Sequence, residues 1–96
     1  MYKKNPCVYI MTNKTNGVLY TGVTSNLKQR VYQHNNNLLK GFTQKYNLHI
    51  LVCYEQCESM SRAIEEEKKM KAGSRAKNIQ RIESMNSEWK DLYVEL

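Results

Sequence analysis

Arg30 and His34 stand four residues apart, one helical turn, so on a helix their side chains can face the same spot. Arginine suits phosphate because its planar fork donates two parallel hydrogen bonds, and histidine can move a proton near neutral pH. The competing readings are a solvated surface arginine and a satisfied core histidine. Glu67 is the most informative single residue. At about 100° per residue, Met60, Ala63, Ile64 and Met70 share an apolar arc, and Glu67 falls inside it while Glu65 and Glu66 point elsewhere. A carboxylate on such a stripe is costly unless a cation or hydrogen-bond donors meet it. It is either half of a structural salt bridge, with Arg30 or Lys71, or a ligand for Mg²⁺, which takes few protein oxygens and keeps several waters. Tyr9 and Tyr20 lie in apolar, strand-like runs. A phenol there usually only packs, and becomes a general base only when cationic company lowers its pKa well below about 10. Gly22, read as lying directly after a strand, permits close approach of the backbone to a ligand or an unusual turn.

The charge distribution supplies that cationic company. The chain has 96 residues and a formal net charge of +6. Residues 1–50 hold seven Lys+Arg and no Asp or Glu, whereas residues 51–96 hold eight against nine acids, a net of −1. An acid-free basic half suits a polyanion such as nucleic acid, through Coulomb attraction and counterion release, with simple solubility charge as the bland alternative. It also means that any carboxylate ligand must come from Glu55 onward, and that a purely N-terminal acid/base dyad is impossible. Cys7, Cys53 and Cys57 form no CxxC pair and read as idle thiols of a reducing compartment. No run approaches the roughly 18–20 apolar residues that span a bilayer, and the first ten residues lack a signal-peptide pattern. The chain reads as a cytoplasmic protein with no membrane partner.

The elements that must position these residues follow from hydrophobic runs and punctuation. Cys7–Met11 and Val18–Val23 read as a β-hairpin, whose register stays open between a turn centred on Asn16-Gly17 and one on Lys14-Thr15. Ser25 is a candidate cap for a helix over about 26–35, with Leu27, Val31, His34 and Leu38 on one face and Arg30 at its edge. Asn35–Asn37 and Gly41 mark a loop. His49–Tyr54 reads as a third, central strand. Ser59 caps a helix over 60–72 that Gly73 stops, and Ser74 caps another over 75–84 with Ala76, Ile79, Ile82 and Met85 toward the core. Trp89, Leu92 and Tyr93 fold back to close that core. The expected architecture is a single α+β, sandwich-like domain over 1–96, in the order β-β-α-β-α-α; one compact domain is all this length allows.

The spacing of these residues is specific. Cys7-Val8-Tyr9, ten intervening residues, then Tyr20-Thr21-Gly22 resembles the paired signature of the GIY-YIG nuclease family. Arg30 follows Tyr20 by ten, His34 follows Arg30 by four, and Glu67 matches the family's metal-binding glutamate within Ala63–Lys71. The segments GFTQKYN, LVCYEQ and AKNIQRIESMNSEW look like the small single-domain branch of that family. Cys7-Val8 stand where Gly and Ile are usual, and Thr21 where Ile is usual; neither change removes a functional side chain. The resemblance implies a three-stranded antiparallel sheet flanked by helices.

For chemistry the resemblance implies hydrolysis of DNA phosphodiesters by a divalent-metal-dependent endonuclease, with DNA favoured over RNA. Tyr9 would orient or deprotonate the attacking water with Tyr20 in support, Arg30 would stabilise charge developing on phosphorus, and His34 would assist proton transfer or hold the phosphate. Glu67 would hold one Mg²⁺ or Mn²⁺ ion as a Lewis acid. Gly22 and Asn78 are the candidate substrate-binding residues, with Asn86 an alternative to Asn78. The chain is short for a separate DNA-binding domain, so a protein partner or homodimer is a possible source of specificity. The runner-up function is a non-catalytic nucleic-acid-binding module that keeps the fold.

Overall fold

The computed structural model describes residues 5–36, 38 and 46–96. All six residues of β1 (Cys7–Thr12) are buried, and a strand covered on both faces belongs in the interior of a sheet. The sheet order is β2-β1-β3, with β2 (Leu19–Thr24) and β3 (Ile50–Gln56) both antiparallel to β1. With α1 (Leu27–Asn35), α2 (Met60–Ala72), α3 (Arg75–Met85) and a closing 3₁₀ turn (Leu92–Glu95), the order is β-β-α-β-α-α, as the sequence predicts. The fold is α+β. β3, expected to be the central strand, is an edge, and it runs two residues further than expected, to Gln56.

The pleat of β1 sorts its side chains into two layers. Cys7, Tyr9 and Met11 pack with Leu27 and Val31 of α1, Leu48, Leu51 and Leu92. Val8 and Ile10 pack on the opposite side with Val52, Cys53, Met70 of α2, Ile82 of α3 and Trp89. Between these layers β3 carries a bulge, since Cys53 pairs with Ile10 but Leu51 with Met11. The extra residue lets Leu51 and Tyr54, three apart, both join the layer of Tyr9. Asp91 Oδ1 caps the 3₁₀ turn at the Tyr93 N–H (3.1 Å) and accepts from the Leu51 N–H of β3 (3.2 Å).

Local chemistry moved several expected boundaries. Thr12 pairs with Leu19, so the hairpin connection is centred between Thr15 and Asn16, a register between the two considered. Its turn closes through the Gly17 N–H to the Lys14 carbonyl (2.9 Å), with Asn16 at φ 55°, a left-handed conformation that asparagine tolerates well. Arg75 Nη2 ties this turn to α3 by donating to the carbonyls of Asn16 and Gly17 (2.8 and 2.6 Å). The cap of α1 is Asn26 rather than Ser25, because Thr24 Oγ1 accepts from the Asn26 N–H (3.0 Å) and folds the entry one residue later. Ser59 and Ser74 cap α2 and α3 as expected. Ile64, Ala76 and Met85, expected in the core, are exposed, and Leu38 lies beyond the end of α1 and is exposed too. Three strands offer too narrow a face to cover arcs of that width. The expected loop around 35–41 and most of the GFTQKYN segment lie outside the described residues.

Asn86 is a structural residue. It is buried, its amide nitrogen donates to the carbonyls of Val52 (3.2 Å) and Lys90 (2.7 Å), and its Oδ1 accepts from the Lys90 N–H (3.0 Å). It therefore pins the closing segment to β3 and is not placed to hold a phosphate. Asn86→Ala should cost about 2 kcal/mol, because both backbone carbonyls and the Lys90 amide lose their partner, and urea unfolding measures this.

Candidate active site

The site is built where the second signature strand, the first helix and the central strand meet. Tyr9 projects from β1 into the layer beneath α1 and is fully buried. Its register partner on β2 is Gly22, and the neighbouring same-face position carries Tyr20. α1 then presents Arg30 at half-buried and His34 at buried positions one turn apart. The three rings form a cluster, with centroids 6.3 Å apart for Tyr9–Tyr20, 5.9 Å for Tyr9–His34 and 5.8 Å for Tyr20–His34. The Tyr9 hydroxyl and His34 Nε2 share a hydrogen bond of 3.1 Å.

Electrostatics centre on the Tyr9 hydroxyl. Burial pushes this phenol up to about 12; Tyr20 and Glu67 push the same way, while the charge and hydrogen bonding of Arg30 pull it down. Cationic company is therefore present, as the sequence predicts, but desolvation outweighs it. Burial lowers His34 to about 4, with Arg30 and His49 adding to the shift, so the imidazole is neutral at pH 7. Its Nδ1 is buried and has no hydrogen-bond partner among the described residues.

Glu67 sits on the sheet side of α2 with its side chain 19% exposed, and its Oε2 lies 3.3 Å from Lys71 Nζ. Of the two salt-bridge partners considered, Lys71 is the one observed. Glu67 is still close enough to Tyr9 to act on its ionisation. Among the described residues no group of three His, Cys, Asp or Glu is arranged to hold a metal ion. A single half-buried carboxylate beside open solvent nevertheless fits a hard cation such as Mg²⁺, which completes its shell with water and substrate oxygens.

Gly22 lies within β2, not after it as expected, and the close approach it permits is that of the site's own rings. A Cβ there would stand 2.7 Å from the Tyr9 hydroxyl, 2.8 Å from its Cζ and 3.0 Å from Tyr20 Cε1. Gly22→Ala should therefore lose about 1–3 kcal/mol by overpacking, despite alanine's smaller entropy cost in a strand, as urea unfolding would register. Asn78 stands beside Tyr20 of the ring cluster rather than in it. Its amide donates to the Met70 carbonyl (2.9 Å), holding the end of α2, and it borders an open groove of about 460 Å³ with Leu19, Tyr20, Thr21 and Lys71. The second amide hydrogen remains as a donor. His49, which bears on His34, carries no periodic relation to α1 by which the sequence could have marked it.

This arrangement defines a nuclease-like domain, and residues 5–82 match the GIY-YIG catalytic domain. The chain belongs to the GIY-YIG family. Within it, the chain is similar to small UPF0213 proteins: it is 36% identical to one from Staphylococcus haemolyticus over 79% of this chain and 92% of that protein. A UPF0213 protein from the VLF1-GP41 intergenic region of Autographa californica nuclear polyhedrosis virus is 60% identical over 30 residues. That match covers 31% of this chain, which spans only 28% of the viral protein's length. The solution structure of a UPF0213 protein from Bacillus halodurans superposes with a TM-score of 0.57 at 26% identity, covering 91% of this chain and 92% of that one. GIY-YIG nucleases are generally divalent-metal dependent, and a nuclease domain implies nucleic acid as substrate. Among the described residues no helix is long and apolar enough to cross a membrane.

Proposed function

We propose that this protein is a divalent-metal-dependent endonuclease that hydrolyses phosphodiester bonds in DNA, using one Mg²⁺ or Mn²⁺ ion. The observation that carries this reading is the convergence on the Tyr9 hydroxyl of His34 Nε2 at 3.1 Å, the Arg30 guanidinium and the field of Glu67. A cation held by Glu67 would supply Lewis-acid stabilisation of the leaving oxygen and reverse the sign of the push that Glu67 exerts on the Tyr9 phenol. Tyr9 orients the attacking water and takes its proton; the His34 Nε2–H, in the tautomer that donates, fixes the phenol oxygen and favours its ionised form. Arg30, half-buried beside that oxygen, meets the charge that develops on phosphorus with a fork of donors already held in place. Tyr20 packs against both Tyr9 and His34 and keeps their rings in register.

The test is to incubate purified protein with supercoiled plasmid, single-stranded DNA and RNA in Mg²⁺, Mn²⁺ or EDTA. Nicking of DNA that needs the metal and disappears in Glu67→Ala is the expected result. Binding in every metal without cleavage assigns the chain to the non-catalytic module instead. RNA cleavage without DNA cleavage overturns the substrate, and neither binding nor cleavage overturns the reading as a whole.

A further inference from the structure

The mechanism leaves one cation of the site without a task. Lys71 lies one turn beyond Glu67 on α2, its Nζ 3.3 Å from the carboxylate oxygen that a metal would need, and its side chain is 57% exposed. An i,i+4 ion pair this open to water holds weakly, and its long stem can pivot. The stem also forms a wall of the open groove with Leu19, Tyr20, Thr21 and Asn78. Tyr20 belongs to both: its ring is in contact with Tyr9 and His34, and it lines this groove. Lys71 therefore stands between the Glu67 carboxylate and the groove beside Tyr20.

Resting on the nuclease reading, we infer that Lys71 is a metal-gated phosphate grip: it neutralises Glu67 when no cation is bound and, once displaced by one, reaches into the groove to hold a DNA phosphate adjoining the scissile one. The physical driver is simple. A divalent ion on Glu67 removes the lysine's acceptor and repels its ammonium, and the groove beside Asn78 is the adjoining space where an incoming phosphate restores a partner. Because the two events are linked, metal strengthens DNA binding and DNA strengthens metal binding by the same factor. The gate also keeps the metal-free protein from using this cation on DNA it cannot cut.

The full chain, unaltered and as Lys71→Met and Lys71→Arg, is examined in two ways. Mn²⁺ binding in the absence of DNA is followed by electron paramagnetic resonance. Binding of a fluorescein-labelled DNA duplex is followed by anisotropy in EDTA and in Ca²⁺. In Lys71→Met, Mn²⁺ should bind about threefold more tightly, since a competing and repelling charge is gone. The same variant should bind DNA as the unaltered protein does in EDTA but about fivefold more weakly in Ca²⁺, with Lys71→Arg restoring the Ca²⁺ affinity. Equal weakening in EDTA and Ca²⁺ would make Lys71 a constitutive surface contact and overturn the gate, as would unchanged or weaker Mn²⁺ binding. Failure of the unaltered protein to bind DNA in either condition overturns the nuclease reading itself, an outcome distinct from a Lys71 effect that lacks metal dependence.

Discussion

Tyr9→Phe is expected to lower metal-dependent DNA cleavage by about 10²–10⁴-fold, the range that a positioned general base commonly contributes, while the protein stays folded. The phenyl ring keeps the packing against Tyr20 and His34 and loses only the hydroxyl. It also releases the His34 Nε2 contact, and a stability loss of about 1–3 kcal/mol is what leaving that buried nitrogen unpaired accounts for. The same geometry sets the direction of the pH dependence. With the resting phenol at about 12, only a small fraction is ionised at neutral pH. Cleavage should therefore rise with pH from 7 toward 10, as long as the protein remains folded. A single-turnover profile in Mg²⁺ that is flat across this range would remove Tyr9 from the proton-transfer role and leave it as a positioning group. Glu67→Ala offers a contrast, because its loss of activity should be partly recovered at high metal concentration, whereas that of Tyr9→Phe should not.

His34 governs the second large effect, a loss of stability in acid. Its pKa is about 4 in the folded protein and near 6.5 in an unfolded chain. Between those values the unfolded state binds the extra proton and the folded state does not, so protonation favours unfolding. The stability associated with neutral His34 is thus complete above about pH 6.5 and is lost as pH falls toward 4, where the loss reaches about 3 kcal/mol. The structural cause is visible in its contacts: one ring nitrogen is bonded to Tyr9 and the other, Nδ1, is buried without a partner among the described residues, so a charged ring would bury an unpaired Nδ1–H donor. Urea unfolding at pH 7 and pH 4.5 measures the difference. In His34→Leu the gap between the two conditions should shrink by most of that amount; an unchanged gap would place the acid sensitivity elsewhere.

Much of this site was legible because its logic is local. One helical turn joins Arg30 to His34, strand alternation puts Tyr20 beside Gly22's face, and the wheel position of Glu67 marked a carboxylate that needed a partner. The β-β-α-β-α-α order was equally legible from apolar runs, capping serines and Gly73. What escaped depended on contacts across the chain. The Tyr9–His34 bond links residues 25 apart. The net direction of the Tyr9 shift depends on how completely three elements desolvate it, which composition does not report. Gly22 reads in the sequence as room for a ligand or an unusual turn, whereas its missing Cβ makes room for the Tyr9 hydroxyl. Thr24 displaced the expected Ser25 cap through a side-chain bond that competes with the helix, and a narrow sheet left Ile64 and Met85 in solvent.

The bond from Leu51 to Asp91 bears on how these molecules behave in company. Among the described residues two of the three strands are edges, and an edge amide that faces away from β1 invites a strand from another molecule. The Asp91 carboxylate occupies that amide on β3 and sets a negative charge where the carbonyl row of an incoming strand would have to lie. The closing 3₁₀ turn therefore acts as a guard against edge-to-edge polymerisation as well as a lid on the core. The proposed nuclease would gain from this guard, since molecules gathered along one nucleic-acid polyanion meet each other far more often than their bulk concentration implies.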